Sequence, residues 1–235
     1  WLATELPRRK WSQKEMHKLI ITSTTWRQGS RDETDDPHWK KRLKEDPYNN
    51  FWARQSRRRL TGETLRDTML AVSNSLSDRK GGPGVRPPLP KEITITLLRN
   101  QWSASKDEVD HRRRSIYLFA RRNLRYPIFE LFDRPALAES CAARKVSTTA
   151  PQSLGLLNSK FTRIASEQMS KHVLSKEKTT NGQLKLCYQS LLGRAPDENE
   201  LAAATKLIAE YADPQKGFAD LCLAIFNLNE FLWVD

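Results

Sequence analysis

The chain has 235 residues, with 40 Lys and Arg against 28 Asp and Glu and a formal net charge of +12. Its length allows one or two domains with a buried core, and its 7 Trp and 8 Phe exclude a disordered composition. The longest apolar run, Leu221 to Phe226, is far shorter than the ~20 residues of a transmembrane helix. The positive surplus suits an anionic partner or an acidic neighbouring part of a larger protein.

Two helices and a loop are predicted in the first quarter of the chain. Ser12 begins a capping-box pattern, and the apolar residues after it predict a helix to about residue 24. Residues 29–50 are polar and predict a loop, whereas the basic segment 51–60 is predicted to be helical. Because the chain begins at Trp1 within a helical pattern, we expect it to be a fragment of a larger protein.

The middle of the chain combines a helix with two β-prone segments. Thr61 is a predicted N-cap, and the apolar stripe after it predicts a helix that ends before the glycines at 81–84. The alternating segment Ile93–Thr96 and the β-prone segment Ser115–Phe119 predict short strands or extended chain.

Two further helices are predicted before residue 178. Pro127 favours one or two helical turns over residues 128–132. Thr149 as N-cap and Pro151 in the first turn predict a single helix to about Leu174. Its expected apolar stripe consists of Leu154, Leu157, Phe161 and Ile164.

Residues 179–235 predict a compact three-helix unit packed on a main helical domain of residues 1–178. Gly193 ends the first helix of this unit, and Asp213–Pro214 separates the second helix from the third. Cys187 and Cys222 lie on apolar stripes and are expected to be buried small hydrophobic side chains, with a disulfide as the alternative. The predicted fold class is mainly α: an irregular multi-helix domain with long loops and one or two short strands.

Dense arginines are the most informative polar feature of the sequence. Guanidinium groups bind carboxylate, sulfate or phosphate with two parallel hydrogen bonds, so these residues predict an anion or acidic-sugar site. The alternative is a buried ion-pair network that ties helices together. The candidate anion-binding residues are Arg112, Arg113, Arg114, Tyr117, Arg121 and Arg122.

The sequence contains no recognisable catalytic or metal-binding motif. No two of the four His lie three or four residues apart, so no metal site is expected. If the protein is an enzyme with a polar cleft, Tyr117, Asp133, Cys141 and Arg144 are the groups to inspect, since positive charge near Cys141 favours its thiolate. Catalytic residues stay unassigned, and we expect a binding domain rather than an enzyme.

Several segments together resemble one protein family. They are Leu19–Gln28, Arg57–Leu60, Arg113–Asn123, Phe132–Pro135, Cys141–Arg144, Ser147–Asn158 and Asn227–Leu232. In this combination the chain resembles the domain of unknown function 1553 family, which is abundant in planctomycetes and related bacteria.

The resemblance implies a setting rather than a reaction. Such domains usually end large exported proteins, after a companion domain and often a c-type cytochrome domain with a CxxCH motif. This chain lacks that motif, so the resemblance implies haem c only in an upstream domain and no cofactor here. It further implies a periplasmic or envelope location and upstream domains of the same polypeptide as partners.

We therefore expect an accessory or interaction domain of an exported multidomain protein, binding an acidic or sulfated polysaccharide through the arginine-rich segment. The alternative is a carbohydrate-active or cytochrome-coupled redox enzyme. A second alternative is nucleic-acid binding, which the positive charge allows but which no recognisable motif supports.

Overall fold

The computed structural model describes residues 1–30, 37–95, 97, 101–138 and 140–234. Within these residues, helices dominate and only two short strands pair, which confirms the predicted mainly α class. The strands are β1 (Arg58–Arg59) and β2 (Trp233–Val234), and two 3-10 helices cover Asp110–Arg112 and Ser115–Tyr117. The α-helices are α1 Leu2–Arg8, α2 Gln13–Ile21, α3 Trp39–Glu45, α4 Gly62–Val72, α5 Lys91–Thr94, α6 Pro127–Leu131, α7 Ala150–Asn158, α8 Lys160–Lys176, α9 Thr180–Leu192, α10 Glu198–Ala209, α11 Pro214–Phe226 and α12 Asn229–Leu232.

The chain divides into two compact units. The first contains residues 1–58 and 233–235, and the second contains residues 59–232. The predicted separation of residues 179–235 from the rest stays a prediction. None of the described helices has both the length and the apolar character needed to cross a membrane.

The first unit contains α1, α2 and α3. Ser12 caps α2 by accepting the Glu15 N–H at 3.3 Å, as its capping-box pattern predicts. The predicted loop over residues 29–50 is wrong at α3, which consists largely of good helix formers. Residues 31–36 of that predicted loop lie outside the described residues.

The predicted helix over residues 51–60 is also wrong. The carboxylate of Asp46 accepts the N–H groups of Asn50 and Phe51 at 2.8 and 2.9 Å. Such side-chain-to-backbone hydrogen bonds compete with helix formation, so the chain turns at this point and continues as a loop into β1.

The core of the second unit is built on α8 to α11. α8 packs along α11, and the helices of the predicted three-helix unit bury Leu184, Cys187, Phe218 and Cys222. Gly193 ends α9 with a φ of 74°, a conformation that glycine adopts without steric cost.

The predicted helix over residues 149–174 is two helices. Ser159 interrupts it and caps α8 by accepting the Thr162 N–H at 3.1 Å. The predicted apolar stripe is wrong at Leu154, Leu157 and Ile164, which are exposed because α7 and α8 each bury a different face. The buried positions are instead Leu156, Ala165, Met169 and Val173.

Neither β-prone segment forms a strand. Residues 91–94 form α5, and Thr96 lies outside the described residues. Ser115–Tyr117 is a 3-10 helix, after which Leu118 makes one isolated bridge with Val85. The helical turn predicted after Pro127 is confirmed as α6.

Candidate functional site

An open groove of about 770 Å³ lies beside α4 in the second unit. Thr61 begins this helix, since its hydroxyl accepts the Thr64 N–H at 3.2 Å. Because residues three or four apart share one helix face, α4 presents a row of hydroxyls and a row of carboxylates to the groove. The hydroxyls belong to Thr61, Thr64 and Thr68, and the carboxylates to Glu63 and Asp67.

Glu63 holds two arginines at one end of the groove. Its carboxylate lies 2.9 Å from Nη1 of Arg144 and 3.4 Å from Nε of Arg134. Burial alone would raise the pKa of Glu63, but the hydrogen bond and charge of Arg144 outweigh burial, and the pKa is lowered from its ordinary value. Glu63 is therefore an ionised hydrogen-bond acceptor rather than a general acid near neutral pH.

Asp67 organises the opposite wall. Its Oδ1 accepts the backbone N–H of Ser115 at 2.7 Å and the Ser115 hydroxyl at 2.6 Å. Nε of Arg114 lies 3.7 Å from Oδ2 of Asp67, beyond hydrogen-bond distance, and the Arg114 side chain is 66% exposed. The Arg114 guanidinium is thus attracted to α4 but remains accessible to a ligand.

A fully buried arginine stabilises the backbone of this wall of the groove. Arg66 on α4 donates to the carbonyls of His111 and Arg113 at 2.6 and 2.8 Å, and to the Ser115 hydroxyl at 3.2 Å. Its guanidinium also packs over the ring of Tyr126. These bonds fix the path of residues 111–115 and so place Arg114 at the groove.

The six candidate anion-binding residues do not form one cluster. Only Arg114 lines the groove, while Arg112 and Arg122 are exposed elsewhere on the second unit. Arg113 is buried over the ring of Tyr117, 4.2 Å from its centroid, and donates to the Gly81 carbonyl.

Arg121 donates to the Gln101 carbonyl. The predicted strand or extended chain over Ser115–Phe119 is wrong at residues 115–117, which turn as a 3-10 helix. The buried Arg113 and Arg66 donate mainly to backbone carbonyls, and both the anion site and the alternative ion-pair network stay predictions.

The residues proposed for an enzyme do not all line the groove. Asp133 accepts from Arg59 at 2.6 Å and from the Ser147 hydroxyl at 2.7 Å. Burial alone would raise the pKa of Asp133, but the hydrogen bonds from Ser147 and Arg59 outweigh it and the pKa is lowered. Cys141 is exposed, with its thiol 3.1 Å from the Ala143 carbonyl.

Of the residues proposed for an enzyme, Arg144 lies in the groove, and Tyr117, Asp133 and Cys141 are not among its lining residues. The described residues also contain no cluster of three or more His, Cys, Asp or Glu side chains that could hold a metal ion. The polar groups that line the groove beside α4 are hydroxyls, carboxylates and guanidinium groups, which can form hydrogen bonds and ion pairs.

Sequence reasoning missed Glu63, Asp67 and Arg134. The spacing of Glu63 and Asp67 predicts one helix face, but only the folded chain brings that face to Arg134 and Arg144, some 70 to 80 residues later. No local pattern in the sequence carries that information.

Comparisons with curated proteins and with solved structures found no match to this chain. A family model described as "Protein of unknown function (DUF1553)" matches residues 1–208. This match covers the whole of the first unit except its last three residues, as well as α4 and every wall of the groove. The chain therefore belongs to the DUF1553 family.

Proposed function

We propose that this chain is an accessory binding domain that holds an acidic or sulfated polysaccharide in the groove beside α4. The observation that carries the proposal is the presence of three guanidinium groups, from Arg114, Arg134 and Arg144, along one open groove. Two of them are accessible, since the side chains of Arg114 and Arg144 are 66% and 47% exposed. Accessible guanidinium groups bind sulfate or carboxylate with paired hydrogen bonds.

The other groups of the groove favour a sugar over a denser polyanion. Thr64 and Thr68 can donate or accept hydrogen bonds, and the carboxylates of Glu63 and Asp67 can accept them from sugar hydroxyls. Nucleic acid carries a phosphate at every nucleotide, and those carboxylates would repel the phosphates nearest to them. A polysaccharide with neutral hydroxyls between its anionic groups fits this mixture of charges better.

The first unit supports a role within a larger polypeptide. The loop after α3 exposes Tyr48, Phe51 and Trp52, the first two by 85% and 84%. Buried Asp46 and Asn49 hold this loop through hydrogen bonds to its backbone. A fixed loop with exposed aromatic side chains is typical of a binding surface.

We propose that an upstream domain of an exported, envelope-associated protein covers this loop, and that any haem c belongs to such a domain. The resemblance of the chain to proteins of that organisation supports this setting.

Binding of the full chain to heparin and to polygalacturonate, measured by calorimetry at about 0.15 M salt, tests the groove. Replacing Arg114 removes one charge-assisted contact of about 1.5 kcal/mol, so Arg114→Ala should weaken binding roughly tenfold. Arg144→Ala should weaken it less, because Glu63 already engages that side chain.

Arg163→Ala is the matched control, because it removes the same charge from an exposed residue on α8, outside the groove. Equal losses in Arg114→Ala and Arg163→Ala would show attraction to net charge and would refute a specific groove. Tighter binding to single-stranded DNA of equal charge would favour the nucleic-acid alternative instead.

A further inference from the structure

Two cysteines face each other in the core of the second unit. Cys187 on α9 and Cys222 on α11 are both fully buried, and their sulfur atoms lie 3.6 Å apart. Both are free thiols in this structure. Neither takes part in the groove beside α4.

Helix packing fixes this juxtaposition. Cys187 lies one helical turn from the buried Leu184 and Leu191, and Cys222 lies one turn from the buried Phe218 and Ile225. α9 and α11 are in contact, so the same apolar stripes that join the helices bring the thiols together. A disulfide requires the sulfur atoms to approach to about 2.05 Å, a movement that side-chain rotation and small helix shifts can supply.

We propose that Cys187 and Cys222 form a modification site, at which a disulfide oxidant converts the two thiols into a disulfide that links α9 to α11. One thiol loses its proton and attacks the oxidant, which releases one small thiol and leaves a mixed disulfide. The second thiol then loses its proton, attacks the mixed disulfide and releases the other small thiol. The two cysteines lose two electrons and two protons, and the oxidant gains them.

Burial determines when this reaction occurs. The hydrogen-bonded contact with Cys187 and desolvation both raise the pKa of the Cys222 thiol, so little thiolate forms in the closed core. An oxidant also has no direct access to two fully buried sulfur atoms. The link therefore forms during folding or during local opening of α9 from α11, and it then becomes protected from reductants.

The bond would join residues 35 positions apart in the sequence and enclose α10. Closing a loop of this length restricts the unfolded chain, and the gain corresponds to a rise in Tm of roughly 10 °C for a protein of this size. Because the groove lies elsewhere, polysaccharide binding should not change on oxidation.

The test is to refold the full chain with oxidised glutathione, alkylate the remaining thiols after unfolding, and digest with trypsin. The expected product joins the peptides of residues 186–194 and 217–235, with a mass lower by two hydrogen atoms than their sum. The peptide of residues 126–144, which holds Cys141, should be alkylated or carry glutathione. Calorimetry should show the higher Tm, and dithiothreitol added after unfolding should abolish it on a second scan.

Cys141→Ser keeps the core pair and should give the same linked peptides and the same rise in Tm as the chain without a substitution. Cys222→Ala should lose the linked peptides. The proposal is overturned if both core cysteines are alkylated or carry glutathione after oxidative refolding. Linked peptides without a rise in Tm would overturn the stabilising role of the bond. The peptide assay needs no substitution, so a poorly folding variant does not prevent a result.

Discussion

Replacement of Arg66 by Met should destabilise the protein by about 3 kcal/mol. The substitution removes the hydrogen bonds to the carbonyls of His111 and Arg113, and a buried acceptor left without a donor costs about 1–3 kcal/mol. Part of this loss is offset, because a methionine requires no burial of a charge. The offset is incomplete, because the partners are backbone carbonyls. They remain buried in the variant, and a neighbouring substitution cannot exchange them for an apolar group.

Chemical denaturation of the purified variant measures this change in the free energy of unfolding. Thermal unfolding gives a second measure, in which the expected fall in Tm for a protein of this size is about 6–12 °C. Arg125→Met is the matched control, because Arg125 pairs with the exposed Glu130 only at 3.9 Å and such pairs contribute little. A loss below about 1 kcal/mol in Arg66→Met would contradict the view that the buried guanidinium holds residues 111–115 in place.

Two further substitutions test other contacts of the second unit. Gly62→Ala should lower the free energy of unfolding by about 1–3 kcal/mol in a denaturation experiment, because the added Cβ would lie 2.9 Å from the Ile128 carbonyl oxygen. Unchanged stability would show that α4 and α6 can move apart. Asn has the same shape as Asp and tolerates the φ of 59° at position 133, so Asp133→Asn removes only the charge that faces Arg59. This variant should lower the free energy of unfolding by about 2–4 kcal/mol at neutral pH. Because the folded pKa of Asp133 lies below its ordinary value of 3.8, its contribution is present above pH 3.8 and disappears as the pH falls through the folded pKa. The stability difference should therefore shrink in denaturation series below pH 3.8, and a difference independent of pH would rule out the charge as its cause.

Sequence signals that act within one turn of helix predicted the structure well. Thr61 caps α4, and Ser12 caps α2. Gly193 ends α9 in the left-handed conformation. Each of these features depends on a few neighbouring residues, so the local sequence contains what is needed to place it.

Signals that require a distant partner failed. The β-prone segments before residue 97 and after Arg114 form no strand, because a strand requires pairing along its length and Leu118 makes one bridge alone. The break at Ser159 was predictable in principle from its capping position, yet the apolar pattern continued across it and favoured one helix. The groove itself depends on Glu63 meeting Arg134 and Arg144, a contact that no local pattern encodes.

The bonds made by Arg66 have a consequence for how the groove can vary. Two of its partners are the main-chain carbonyls of His111 and Arg113, which every amino acid carries, so these two bonds do not depend on the exposed side chains of Arg112 and Arg114. Arg112, Arg114 and Ile116 point outward from a backbone that is held from inside. Arg114 and Ile116 line the groove, so these two positions can be randomised in a library to redesign the selectivity of the groove separately from the stability of the fold.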